Sequence, residues 1–247
     1  MSILEKVLAN IFLLLGGYFL GALPFVVALA RISGLDASQE EDLHIALWHK
    51  ASKKKAILAG GVDFLKGIII ILIGFGFGLP TIVVVFSGVA AVAGQMWPPF
   101  RICHGERGNL VGVGIVFTLP LLYGEYWVLL SLIFSAAGAA LKYYYENRGN
   151  MIIETRDRHT GFSNFAYRMT LSLPLGMLLG FVAAPVVSWC SGGLKGLTLG
   201  FFVLFILIVV RRLTAELRDD VRKGNCTIKV LFNRFLFDQP FISEGEK

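Results

Sequence analysis

Seven stretches of this chain are too apolar to be arranged on the surface of a water-soluble domain: residues 7–30, 56–78, 81–100, 110–123, 126–145, 169–189 and 194–210. A helix rising about 1.5 Å per residue needs ~20 apolar residues to cross the hydrocarbon of a bilayer. Most of these runs meet that length. The run 110–123 is short, and it lengthens only by taking in Gly108 and Asn109. The pattern predicts an all-α fold, a polytopic membrane bundle of about seven transmembrane helices. Composition agrees: 55% of residues are hydrophobic, only 16% are charged, and the mean hydropathy is +0.70. A soluble globular domain has more charge and less apolar surface. The first run lacks a small-residue cleavage pattern and holds Pro24 near its end, so it is read as a retained span.

Charge then orients the bundle. All 23 Lys and Arg except Lys6, Lys66 and Lys195 fall in the loops 31–55, 101–109 and 142–168 or in the tail from Arg211. Lysine and arginine mark the cytoplasmic side of membrane proteins. The expectation is an N-terminus outside, a C-terminus in the cytoplasm, and a membrane domain over 1–223 followed by a cytoplasmic tail over 224–247. The net charge of +6 is then a membrane-face signature. No nucleic-acid motif accompanies it, and no nucleic-acid partner is expected. Cys103, Cys190 and Cys226 form no CxxC and no metal-ligand spacing, so they read as free thiols. The tail segment Leu231–Phe237 can lie on the membrane surface. Because the long polar loops share one face, chemistry is expected there.

Four polar stretches could carry it. The first is Gly105-Glu-Arg-Gly108, between an apolar run ending at Phe100 and one resuming at Leu110. Its glycines permit a tight turn into a helix N-terminus, where backbone N–H groups and the helix dipole favour an anion. Arg107 adds a fork of donors for phosphate oxygens. The same residues also suit a plain polar turn between two spans. The second is Asp63 and Lys66, three apart and so on one helical face. They read either as a pair that fixes helix packing or as a charge held in the membrane for function. The third is 36–55, with His44, His49 and a lysine run, which suits a membrane surface, anionic headgroups or phosphate. Two histidines five apart make no metal site on one helix face. The fourth is 156–164, where His159, Ser163 and Asn164 offer a general base and hydrogen-bond donors.

The order of these features resembles the bacterial acyl-phosphate:glycerol-3-phosphate acyltransferases of the PlsY type. Gly21-Ala-Leu-Pro-Phe25 is similar to a Gly-Ser-Ile-Pro-Phe pattern ending the family's first span. Asp63-Phe-Leu-Lys-Gly67 matches Asp-x-Leu-Lys-Gly in its second. Gly94-Gln-Met-Trp-Pro-Pro-Phe100 followed by His104-Gly-Glu-Arg-Gly-Asn-Leu-Val111 resembles the exit of its third span and its glycine-rich loop. Phe162–Tyr167 and Arg211-Arg212 resemble the loop before its sixth span and the basic run closing its seventh. The departures are equally definite. The family's first cytoplasmic motif, Gly-Ser-Gly-Asn-x-Gly-Ala-Thr-Asn, is absent, and Glu40–His49 takes its place. Gln95 stands for a histidine, Glu106 for a glycine and Arg107 for a lysine. Arg212 and Ala215 stand for a histidine and an asparagine.

The resemblance implies a multi-pass protein of the bacterial plasma membrane, active on the cytoplasmic face in phospholipid biosynthesis. It implies transfer of an acyl group from acyl phosphate to glycerol 3-phosphate, giving lysophosphatidate, without metal or cofactor. In that reading Gly105, Arg107 and Gly108 hold phosphate, and Asp63 and Lys66 shape the site floor. Ser163 and Asn164 donate hydrogen bonds, and His104, His159 or His44 accepts the proton. The acyl chain lies between helices in the bilayer. The rival reading is a non-catalytic relative that binds lipid or partners another membrane protein.

Overall fold

The computed structural model describes residues 2–37, 43–99, 105–148, 161–214 and 235–236. Every described element is helical. The order is α1 (Ile3–Ala22), α2 (Phe25–Ile32), α3 (Leu43–Ala46) running into a π turn (Leu47–Ala51), α4 (Lys53–Gly76), α5 (Thr81–Met96), α6 (Asn109–Tyr123), a 3₁₀ turn (Tyr126–Leu129), α7 (Leu130–Arg148), α8 (Gly161–Cys190) and α9 (Lys195–Thr214). Residues 3–32, 53–76 and 195–214 are long and apolar enough to cross a membrane. Residues 81–96, 109–123, 126–141 and 174–190 are shorter apolar helices.

Local chemistry sets the boundaries. α1 starts in a capping box: Glu5 N–H donates to Ser2 Oγ, and Ser2 N–H donates to Glu5 Oε2, so two orphan donors are satisfied together. The run expected as one span over 7–30 breaks at Leu23-Pro24, because proline cannot donate to the helical ladder, and α2 begins after it. The run expected to reach Phe100 leaves the helix at Met96, just before Trp97-Pro98-Pro99. The run expected from Tyr126 opens as a single 3₁₀ turn, and the run expected from Met169 already has helical backbone at Gly161.

Contacts fix the directions of the helices. α1 runs parallel to α5: Gly17 sits against the Ser87 carbonyl and Gly21 against the Ala91 carbonyl. A Cβ at either glycine would collide with backbone, so these positions let two helices touch backbone to backbone. α4 runs antiparallel to α1, with Gly74 against Leu13 and Gly17 against Ile70. α6 runs parallel to α4, from the Gly60–Leu110 contact at one end to the Phe75–Tyr123 ring pair at the other. α9 runs parallel to α5 through Gly196–Ile82 and Gly200–Val85, and α7 and α8 are antiparallel through Gly138 and Gly176. The main core lies between α1, α4, α5, α6 and α9, around Ile71, Val85, Val92, Ile115 and Leu204. A smaller cluster of Val26, Ala30, Leu47 and Ala59 seats α2 and α3 on the start of α4.

This arrangement gathers the end of α1, the first half of α4, the end of α5, the start of α6 and the end of α9 at one end of the bundle. The turns at Gly78, Gly124 and Gly192 lie at the other.

Candidate functional site

The site begins with Asp63. It lies in α4 with no exposed surface, and Lys66, one turn on, is also buried. Lys66 Nζ is 2.9 Å from Asp63 Oδ1 and donates at 2.8 Å to the carbonyl of Leu23. That carbonyl is at the end of α1, where the break before Pro24 leaves carbonyls without intrahelical partners. The proline therefore does two jobs. It ends α1, and it presents an acceptor to the buried ammonium.

His44 reaches the other oxygen of Asp63. Its Nε2 is 3.1 Å from Asp63 Oδ2 and 3.6 Å from Glu106 Oε2. Glu106 is tied to the end of α5 twice: its Oε2 accepts from Gln95 Nε2 at 2.9 Å, and its N–H donates to the Gln95 carbonyl at 3.0 Å. Arg211 of α9 donates to the carbonyls of Gly105 and Glu106. An imidazole, two carboxylates, an ammonium, an amide and a guanidinium thus meet from five separate segments. Arg212, beside Arg211, is turned away. It is almost wholly buried and donates to the carbonyls of Pro174 and Phe235, so it joins α9 to α8.

The loop 105–108 presses on the end of α5. A Cβ at Gly105 would strike the Met96 carbonyl, and one at Gly108 would meet the Met96 and Val92 side chains. Gly108 also has φ +69, a left-handed conformation that glycine adopts without steric cost. It delivers the chain into α6, whose first turn has no side-chain cap. The free N–H groups and dipole of that turn favour an anion. Arg107 is half-buried in the same loop.

Of the residues singled out from sequence, Asp63, Lys66, Gly105, Arg107 and Gly108 are at this end of the bundle. His104 and His159 lie outside the described residues. Ser163 and Asn164 are in the first turns of the α8 backbone, and their side chains lie outside those described. The sequence marks His44 as one of three proton acceptors and as part of the basic loop 36–55, and it marks Gln95 and Glu106 only as departures from a pattern. Their contact gives the departures a structural meaning. Both occur at positions that touch, and paired departures at touching positions are a signal that one local arrangement has replaced another. Arg211 was read only as part of a basic run, and nothing in its spacing indicates that it clamps the glycine loop.

A bundle of apolar helices, three of them long enough to cross a bilayer, defines an integral membrane protein. Residues 11–153 match the glycerol-3-phosphate acyltransferase family, and this chain belongs to that family. It is 32% identical over 113 residues to the glycerol-3-phosphate acyltransferase of Aquifex aeolicus, covering 44% of this chain and 59% of that protein. It is 27% identical over 242 residues to glycerol-3-phosphate acyltransferase 4 of Dehalococcoides mccartyi, covering 93% and 88%. The chain thus matches about three fifths of the first relative and most of the second. The fold is similar to crystal structures of PlsY (YgiH), an integral membrane glycerol 3-phosphate acyltransferase. For the glycerol 3-phosphate form the TM-score is 0.63 at 23% identity, covering 91% of this chain and 99% of that one. For the lysophosphatidic acid form it is 0.60 at 23% identity, covering 88% and 93%.

Proposed function

We propose that this protein is a membrane acyltransferase that moves an acyl group from acyl phosphate to glycerol 3-phosphate, releasing phosphate and forming lysophosphatidate. The observation that carries the reading is the juxtaposition of the glycine loop and the uncapped start of α6 with the buried Asp63–Lys66 pair. One end of the bundle thus offers both an anion cradle and fixed charge. An acyl phosphate is already activated, so the protein has to align two reactants and stabilise charge. The acceptor hydroxyl oxygen attacks the acyl carbonyl carbon and forms the ester C–O bond. The bond from carbon to the phosphate oxygen breaks, and phosphate leaves with its electron pair. In this reading Gly105, Arg107 and Gly108 hold phosphate, Asp63 and Lys66 form the floor, and Ser163 and Asn164 donate hydrogen bonds. The hydroxyl proton goes to His104 or His159.

An apolar groove of about 460 Å³ runs between α1 and α4, lined by Leu13, Gly16, Leu20, Ile69, Ile73 and Phe77. It begins one turn from Leu23 and Lys66 and leads away from the polar cluster. That continuity suits one occupant, the acyl chain of the donor. The distribution of Lys and Arg supports seven spans, an N-terminus outside, and a site on the cytoplasmic face of the bacterial plasma membrane.

Release of phosphate from acyl phosphate by the purified protein tests the reading. Release is expected to require glycerol 3-phosphate, and equal release without it contradicts acyl transfer. The Glu106 carboxylate in a loop assigned to phosphate favours a second reading, a non-catalytic relative that binds lipid or a membrane-protein partner. That reading predicts no release under any condition.

A further inference from the structure

The Glu106 carboxylate brings a second negative charge against His44, which stands between it and Asp63. His44, Asp63 and Glu106 each offer one ligand atom within 4.8 Å of the other two, and His44 Nε2 is 3.1 Å from Asp63 Oδ2 and 3.6 Å from Glu106 Oε2. Metal–ligand bonds of about 2.1 Å place adjacent tetrahedral ligands ~3.4 Å apart. The two His44 distances bracket that spacing. Lys66 occupies Asp63 Oδ1, so Oδ2 remains on the side of the other two.

A second observation comes from the opposite helix. Gln95 is 6% exposed, and its Nε2 donates to Glu106 Oε2, the same oxygen that faces His44. Its Oε1 has no hydrogen-bond partner among the described residues. A buried amide oxygen without a partner costs free energy. Oε1 and Nε2 belong to one amide, and a half-turn of that amide exchanges them. The turn would set Oε1 where Nε2 now lies, against Glu106 Oε2, and a cation between them would reconcile the two acceptors. Left as it is, the amide orients the Glu106 carboxylate, as groups behind metal ligands do.

We propose that His44, Asp63 and Glu106, supported by Gln95, bind a divalent cation of the Mn²⁺ or Zn²⁺ class. One imidazole and two carboxylates suit such an ion better than a soft one. The three ligands come from the α2–α4 connection, α4 and the loop before α6, so no local spacing motif announces them. The cation would sit against Asp63 and Glu106 and add positive charge beside the glycine loop, offsetting the glutamate within it. The inference deepens the acyltransferase reading in that last respect, but binding of the ion itself does not depend on catalysis.

The test is Mn²⁺ binding by the whole protein, stripped with chelator and held in an uncharged detergent, without substrates. Electron paramagnetic resonance titration is expected to show one tightly held Mn²⁺ per chain, displaced by Zn²⁺. Pulsed measurements should reveal coupling to a single imidazole nitrogen. Glu106→Gln and His44→Gln should each weaken binding about tenfold or more, and His44→Gln should abolish the nitrogen coupling. Absence of saturable Mn²⁺ and Zn²⁺ binding by the wild type overturns the proposal, and so does a bound ion without nitrogen coupling. If neither variant folds, the wild-type spectrum alone decides. A protein that binds the ion but transfers no acyl group would refute the reading of the reaction and leave the cation site standing.

Discussion

Two carboxylates are buried at opposite ends of this bundle, and they are treated differently. Glu125, in the turn after α6, accepts from the Leu194 N–H at 2.5 Å and from Ser188 Oγ at 3.0 Å. Ser188 in turn pairs with Thr198 Oγ1 at 2.7 Å. The carboxylate is supplied with neutral donors and joins the α6–α7 turn to the turn between α8 and α9. Asp63 at the other end faces an imidazole and an ammonium, and neither of its oxygens accepts a well-formed hydrogen bond among the described residues. A carboxylate satisfied by hydroxyl and backbone groups behaves as a structural joint. One surrounded by charge-bearing groups retains unsatisfied capacity, and such groups cluster where ligands act.

The largest expected effect lies at the charged end. Asp63→Asn leaves Lys66 buried without a counter-charge, a change that costs about 3–5 kcal/mol. Thermal unfolding in detergent should show it, and adding Lys66→Met should recover much of the loss. A single variant as stable as wild type would break the comparison. Next is Arg107→Ala, which removes a donor fork from the glycine loop proposed to hold phosphate and is expected to lower acyl transfer about 10²–10³-fold while the protein still inserts and unfolds like wild type. A smaller effect belongs to the opposite end. Glu125→Gln puts an amide N–H₂ among donors and should cost about 1–3 kcal/mol of stability with acyl transfer unchanged. An equal fall in transfer would show that the two ends are not separable in function. The smallest is Gly16→Leu. Nothing lies within 4 Å of a Cβ at Gly16, so the new side chain fills the groove without disturbing the helices. Preference should move to shorter acyl donors by about tenfold, read from competition between chain lengths.

The apolar runs made the helices legible in the sequence, since periodicity and length alone mark what a bilayer can accept. The break at Pro24 was visible as a residue, and its consequence was not. That the Leu23 carbonyl would meet Lys66 depends on α1 and α4 lying side by side. Asp63 and Lys66 were readable as a pair because three residues along a helix fix their proximity. His44, Gln95 and Glu106 were not readable as a cluster, because distant segments bring them together. Two of them were seen only as mismatches to a family pattern. A mismatch read one position at a time suggests lost chemistry, whereas the Gln95–Glu106 hydrogen bond makes the two a single rearrangement. The reach of Arg211 to the glycine loop likewise follows from α9 packing beside α5.

The central claim is acyl transfer at the charged end of the bundle. The most direct measurement gives the purified protein, in nanodiscs, acyl phosphate and labelled glycerol 3-phosphate, and follows label into lipid. The account predicts labelled lysophosphatidate that requires both substrates and falls steeply in Arg107→Ala. A folded, monodisperse protein that leaves all the label in water would contradict it and favour a lipid-binding or partner-binding role.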